Sequence, residues 1–355
     1  HTRQYSLNVY TSKNTEAFDS ISNLYVPETI DQCYETPETE ELPLMKTSSG
    51  EWEIKGHPDR IIKVNKSVMS VFAAIFDASD EWYSARLPLL HCKQLIDVLR
   101  IFMQQKVKLA DVREQLGITG MWDEATSQAD GTIIRQIHFP EGRYDMIYSS
   151  PHIGLANPVF KSSKRVCRLN SDYETIDIST LPELFFPRCN FRPACDLDTY
   201  RKRAPKMEDG KLMLFDYRLV WRSMLNQSGE RTLLPCIIPP HTGHIDLIFE
   251  LRVPTEYLAL LAGAYASLPI DFYVKAIGKA HARFDVAANL PLLLGTEYEQ
   301  RIRLRALHNK VLTIGYNQKN TSGGIDHDPI CAGNTIPGRS DRLYGDDLPG
   351  DLPCL

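Results

Sequence analysis

The most regular patterning of the chain lies between Leu212 and Leu294. Tyr217 to Arg222 alternates apolar and arginine positions, the polar run Asn226 to Thr232 follows, and Leu233 to Ile238 is almost wholly apolar before Pro239-Pro240. Two apolar runs joined by a Gly-containing polar turn predict a buried hairpin. After Phe249, Leu258, Leu260, Leu261, Tyr265 and Leu268 predict a helix. Phe272 to Arg283 then carries Lys275, Lys279, His281 and Arg283 around Gly278, and reads as a cationic loop between apolar elements.

Upstream, Val64, Val68, Val71, Phe72, Ile75 and Phe76, and then Leu95, Ile96, Val98, Leu99, Phe102 and Met103, recur at helical spacing. Asp111 to Leu116 adds a shorter piece ended by Gly117. From Gly120 the period changes. Ile133 to Phe139 and Asp145 to Tyr148 are strand-like, split by the turn Pro140 to Arg143, and Ser149 to Phe160 reads as a Pro/Gly loop crossing the sheet. Tyr173 to Pro187 alternates, which predicts core positions at Ile176, Ile178, Leu181 and Leu184. Glu297 to Ile314 predicts an amphipathic closing helix.

These elements predict an α+β fold in four parts. They are an N-terminal arm or linker at 1–59, a helical subdomain at 60–119, a mixed curved-sheet domain closed by a helix at 120–314, and an irregular tail at 315–355. Tyr5 to Tyr10 and Leu24 to Val26 are candidate edge strands within the arm. Thr36 to Pro43 is a charged, proline-punctuated linker without the apolar density to fold alone.

At 355 residues, 43% hydrophobic and 24% charged, the chain has the composition of an ordinary globular protein, with a formal net charge of −5. A modest acidic balance excludes a protein coated in positive charge and leaves room for one basic face. The eight cysteines form no CxxC pair and have no partner at zinc-ligand spacing, which predicts free thiols in a reducing cytoplasm. No apolar stretch approaches the roughly 20 residues of a membrane-spanning helix. The chain begins at His1, and we expect it to be part of a longer polypeptide.

Signatures of enzymes are scarce. There is no Walker pattern and no Gly-x-Ser-x-Gly elbow. Glu53-Ile54-Lys55 beside Pro58-Asp59 has nuclease-like pieces in the wrong order, and Ile325 to Asp328 reads as a polar tail turn. The strongest chemical signal is cationic. Lys161, Lys164, Arg165 and Arg168 place four cations within eight residues, and Arg201, Lys202 and Arg203 are consecutive. Arg231, Lys275, Lys279, His281 and Arg283 complete a candidate DNA-binding set, with His152 as a candidate reader of a base edge or phosphate. Lysines and arginines neutralise phosphates, and arginine is the common partner of guanine. Arg218 and Arg222 flank buried positions and read as structural, with Glu230 as the expected partner of one of them.

Several words resemble one family. These are Met121 to Glu124, Ser150-Pro151-His152 with Asn157-Pro158, Asn170 to Asp177, Pro187 to Asn190, and Tyr217-Arg218 through to Pro240. The region from about Gly120 to Leu312 resembles the C-terminal target recognition part of large bacterial adenine-specific DNA methyltransferases, the type IIG restriction-modification enzymes and related phage-defence methylases. The resemblance implies sequence-specific reading of double-stranded DNA, beside a catalytic domain or subunit that binds S-adenosylmethionine. This chain lacks the Gly-rich cofactor motif, and Asn157-Pro158-Val159-Phe160 lacks the second proline of the tetrapeptide that holds a flipped adenine. The expectation is therefore a reading module that is not catalytic alone, needs no cofactor of its own and has no membrane partner. The alternative is a scaffold that docks a methyltransferase or nuclease without touching bases, through apolar helix faces at 60–118 and 299–314.

Overall fold

A computed structural model describes residues 6–10, 16–77, 79–182, 185–294 and residue 302. The fold is mixed α+β, with helices and several small sheets that are mostly antiparallel. The chain divides into two compact units, with the boundary between Lys106 and Val107.

In the first unit, β1 (Ala17–Ser20) pairs antiparallel with β2 (Ile62–Asn65), and the helices are α1 (Glu28–Glu35), α2 (Lys66–Phe72) and α3 (Leu95–Gln104). The helical spacing that begins at Val64 crosses a boundary, because Ile62–Asn65 is a strand. Asn65 ends it and caps α2, its side chain accepting from the Val68 N–H at 3.0 Å. Val64, Val68, Val71, Phe72, Ile75, Phe76 and Leu99 are buried. Arg60 is also fully buried, and its guanidinium donates to the carbonyls of Lys55, Ser22 and Asn23. Residues 6–10 and Leu24 to Val26 form no strand; β1 is the edge strand of this region.

The second unit carries, in order, β3 (Gly117–Thr119), α4 (Glu124–Ala129), β4 (Ile133–His138), β5 (Ile147–Tyr148), β6 (Lys161–Ser163), β7 (Tyr173–Thr175) and β8 (Cys189–Pro193). Then come α5 (Leu197–Arg203), β9 (Arg218–Arg222), β10 (Pro235–Ile238), β11 (Gly243–His244), β12 (Ile248–Arg252), α6 (Thr255–Tyr265), α7 (Leu268–Ile277) and α8 (Phe284–Ala287). The main sheet is antiparallel in the order β10-β9-β12-β3. The hairpin expected at 217–238 is its β9–β10 pair, with Ile238 opposite Arg218 and Pro235 opposite Trp221. The two strand-like runs at 133–148 do not pair with each other: β4 pairs with β8, and β5 pairs in parallel with β11.

Helix α6 is buried on nearly every side, as its sequence from Leu258 to Tyr265 requires, and it packs on β9 and β10. Trp221 fixes this junction. It is buried against Phe249 and Tyr265, and its indole N–H donates to the Ala282 carbonyl at 2.9 Å. The stretch 272–283 is not all loop. Helix α7 runs to Ile277 and stops at Gly278, whose φ of 70° is the left-handed cap that favours glycine.

The alternation at 173–187 marks little core. Tyr173 is buried, but only three residues pair with β6 and Ile178 is exposed. Leu184, the helix expected at 297–314 apart from Ile302, and the tail at 315–355 lie outside the described residues.

Arg218 is wholly buried, and its partner is Glu250 of β12 rather than Glu230. Its Nη1 donates to Glu250 Oε2 at 3.1 Å, and its Nη2 donates to the carbonyls of Thr242 and Pro239. His244 Nε2 lies 2.9 Å from the same carboxylate oxygen. Burial pushes the Glu250 carboxyl up, and the charges of Arg218 and His244 outweigh it, so the net shift is downward.

Candidate nucleic-acid interface

The segment 161–172 is a connection between two short paired strands. Lys161 stands opposite Thr175, and Ser163 opposite Tyr173. Its base is sewn to the chain at Arg188. The Arg188 N–H donates to Ser162 Oγ at 2.9 Å, Ser163 Oγ donates to the Arg188 carbonyl at 3.0 Å, and the Arg188 guanidinium returns to the Ser163 carbonyl at 3.0 Å. The far end is organised by Asp172. Its carboxylate accepts the backbone N–H groups of Arg168 and Leu169, both at 2.9 Å, and its carbonyl accepts from the Lys164 N–H. Those two N–H groups, then Lys164 and Arg168, hold its carboxyl below the usual carboxylate range.

On this closed loop Lys164, Arg165 and Arg168 are exposed and Lys161 is half-buried beside the Phe160 ring. None of the four makes an ion pair among the described residues. Val166 and Leu169 are each 68% exposed beside them.

The other sequence-predicted cations divide. Arg231 points inward: its Nη2 donates to the Ala266 carbonyl at 2.6 Å, closing the end of α6, and its Nε lies 3.6 Å from Asp271. Lys275 is on α7 and donates to the Gly229 carbonyl at 3.1 Å. Lys279 is paired with Asp285. Arg203 donates to the Asp130 carbonyl and to Thr132 Oγ1, with the Asp130 carboxylate 3.6 Å away. Arg201 lies over the Tyr144 ring, and Lys202 is exposed on the same helix. His281 and Arg283 are exposed on either side of Ala282, which is buried and held by the Ser223 carbonyl at 2.8 Å.

His152 does not face solvent, and in this fold it cannot reach a base edge or a phosphate. The Ser149 N–H donates to its Nδ1 at 2.9 Å, and its Nε2 lies 3.2 Å from the Arg188 carbonyl. Burial pushes its pKa down to about 4, so the ring is neutral at pH 7. It packs edge-on to Tyr148 and Tyr173 and supports the base of the 161–172 loop.

Among the described residues no group of His, Cys, Asp and Glu is placed to hold a metal ion, and no single helix is long and apolar enough to cross a membrane. The six described cysteines are free thiols. Phe215, His241 and Tyr144 make successive ring contacts and Arg201 lies over Tyr144, a cation–aromatic cluster that sequence reasoning missed, since no spacing links residues that distant in the chain. No protein-family model matches the chain, and no curated protein matches it.

Proposed function

We propose that this chain is a double-stranded-DNA reading module, not catalytic by itself, that works in the cytoplasm beside an adenine-specific methyltransferase domain or subunit holding S-adenosylmethionine. The observation that supports it is the 161–172 loop. It presents Lys164, Arg165 and Arg168 outward without ion-pair partners among the described residues, on a backbone already ordered by Asp172, Ser162, Ser163 and Arg188. Ordering a loop before binding lowers the entropy lost when phosphates dock. Lys202, His281 and Arg283 are further exposed positions in the same unit, whereas Arg231, Lys275, Lys279 and Arg203 are engaged within the protein.

Anisotropy of a labelled duplex tests the reading. Three phosphates neutralised by the loop contribute a slope of about −2.7 in log K against log salt, or roughly 40-fold between about 50 and 200 mM. The triple change Lys164→Glu, Arg165→Glu, Arg168→Glu is expected to abolish binding. No binding of the unaltered chain at low salt would overturn the reading.

One observation favours a second reading, a scaffold that docks a methyltransferase or nuclease. In the first unit Trp82, Tyr83, Leu87 and Leu89 are all exposed within eight residues, and α3 leaves Ile101 and Met103 exposed. Contiguous exposed apolar side chains mark protein-binding surfaces. Under this reading Tyr83→Asp and Leu87→Asp disrupt assembly with the partner and leave duplex affinity unchanged.

A further inference from the structure

The outer surface of the 161–172 loop is hydrocarbon as well as cation. Val166 and Leu169 are each 68% exposed, and Lys164, Arg165 and Arg168 are exposed around them. A single exposed aliphatic side chain is ordinary on a protein surface. Here both are interleaved with cations that form no ion pair among the described residues. Such a surface suits a ligand that offers phosphates and apolar faces side by side.

The backbone under these side chains is held along its length. Cys167, between Val166 and Arg168, is buried, and its Sγ accepts from Asn190 Nδ2 at 3.2 Å. Turning Cys167 inward sends its neighbours on both sides outward. The Asp172 carboxylate accepts the N–H of Leu169 itself, at 2.9 Å, as well as that of Arg168. Leu169 is extended, with φ −123° and ψ 164°, where the turn Asn170–Asp172 begins. At the base, Ser162 and Ser163 are bonded to Arg188. A side chain held out on an ordered backbone loses less entropy when it is inserted into a partner.

The charge of the loop is one-sided. Residues 164–169 include no carboxylate. Asp172 is engaged with backbone donors, and Glu174 lies in β7 opposite Ser162.

We propose that Leu169 is a wedge: its side chain enters a base step of the duplex and unstacks it, while Lys164, Arg165 and Arg168 hold the flanking phosphates. This rests on the duplex-reading function proposed above and adds to it a deformation of the DNA. Aliphatic side chains inserted between base steps kink the duplex, and pyrimidine–purine steps give way most readily. Leucine reaches one carbon further from the backbone than valine, so Leu169 enters the stack and Val166 flanks it. A lipid surface would also meet cations and hydrocarbon. The loop has no tryptophan or tyrosine to anchor at a headgroup boundary, and two aliphatic side chains bury little there, whereas a base step takes one.

The test uses the full chain at low salt and a labelled duplex with 2-aminopurine at its TpA steps. Anisotropy reads binding, and 2-aminopurine fluorescence, which stacking quenches, reads the state of the step. With the parent protein the fluorescence is expected to rise at saturation. A duplex with one mismatch at the TpA step is expected to bind about tenfold tighter than the matched one, because unstacking there costs less. Leu169→Ala, checked for folding by circular dichroism, is expected to keep the salt slope and lose both the rise and the mismatch preference. Leu169→Met, which restores the length of the side chain, is expected to recover both. A matched duplex that saturates with the parent and shows no rise overturns the wedge and leaves duplex reading standing, as does a rise that survives in folded Leu169→Ala. No duplex binding by the parent overturns both. Binding to phosphatidylserine vesicles that Leu169→Ala abolishes, with every duplex readout unchanged, overturns the wedge in favour of a lipid surface.

Discussion

Changing Glu250 to glutamine probes the most deeply placed charges of the second unit. Glutamine keeps the shape and one acceptor oxygen but leaves the Arg218 guanidinium, which has no exposed surface, without a counter-ion. Breaking a buried ion pair by removing one member costs about 3–5 kcal/mol. For a unit of this size each kcal/mol lowers the melting temperature by roughly 2–4 °C, so the variant should melt roughly 6–20 °C below the parent. The pH dependence has a definite sign. The Glu250 carboxyl is depressed in the folded protein, so its contribution is fully present above its unfolded value of about 4.3 and is lost as pH falls through the lower folded value. Glu250→Gln should remove that part of the acid transition. The double variant Arg218→Met, Glu250→Gln removes the stranded charge and is expected to recover part of the loss. Thermal melts followed by circular dichroism from pH 3 to pH 8 would read all three. A Glu250→Gln melt within about 2 °C of the parent at pH 7 would refute the assignment of the pair as a stability determinant, given the cost expected for a lone buried charge.

Other outcomes are open to the same kind of measurement. His152 is neutral when folded, with a pKa of about 4, so the unfolded chain takes up its proton first; stability should fall by about 3 kcal/mol as pH drops from about 6.5 towards 4, and His152→Gln should flatten that slope. A Cβ on Gly243 would press on the Tyr200 hydroxyl and stand 3.2 Å from Trp122 Nε1, so Gly243→Ala should disturb the buried Trp122–Tyr200 hydrogen bond and cost about 1–3 kcal/mol in denaturant titration. Lys164→Gln should make the salt slope of duplex binding shallower by about 0.9, whereas Arg231→Ala should lower the melting temperature and leave the slope unchanged.

What could be foreseen from the sequence follows the range of the forces involved. The β9–β10 hairpin and α6 were legible because each is specified by its own apolar periodicity. Strand β2 was hidden because Val64 continues the spacing of Val68 and Val71, although Asn65 carried the signal of a cap. Glu230 was the expected partner of Arg218 or Arg222 because it is near in the chain, whereas the partner of Arg218, Glu250, is brought across by the β9–β12 pairing. His152 looked available because its loop is rich in Pro and Gly; the carbonyl that holds it belongs to Arg188, 36 residues away. The cation–aromatic cluster had no local signature, since its residues span Tyr144 to His241 and meet only after the chain folds.

The same distance argument explains which cations remain outside. Asp271, Asp285 and Asp130 each offer a carboxylate to a cation that charge density along the sequence groups with the others, and so Arg231, Lys279 and Arg203 are held. Asp172 sits closer in the chain to Arg168 than Asp285 does to Lys279, yet its carboxylate is used by two backbone N–H groups. An acid that satisfies backbone donors orders the loop without forming a side-chain ion pair. Its charge still lowers the local potential, so the three exposed cations carry a smaller net charge than their number suggests. Asp172→Asn keeps an acceptor for one of those N–H groups and removes the charge. If the loop is where phosphates dock, that variant gains affinity for duplex at low salt; a loss would mean that the order Asp172 imposes matters more than the charge it adds.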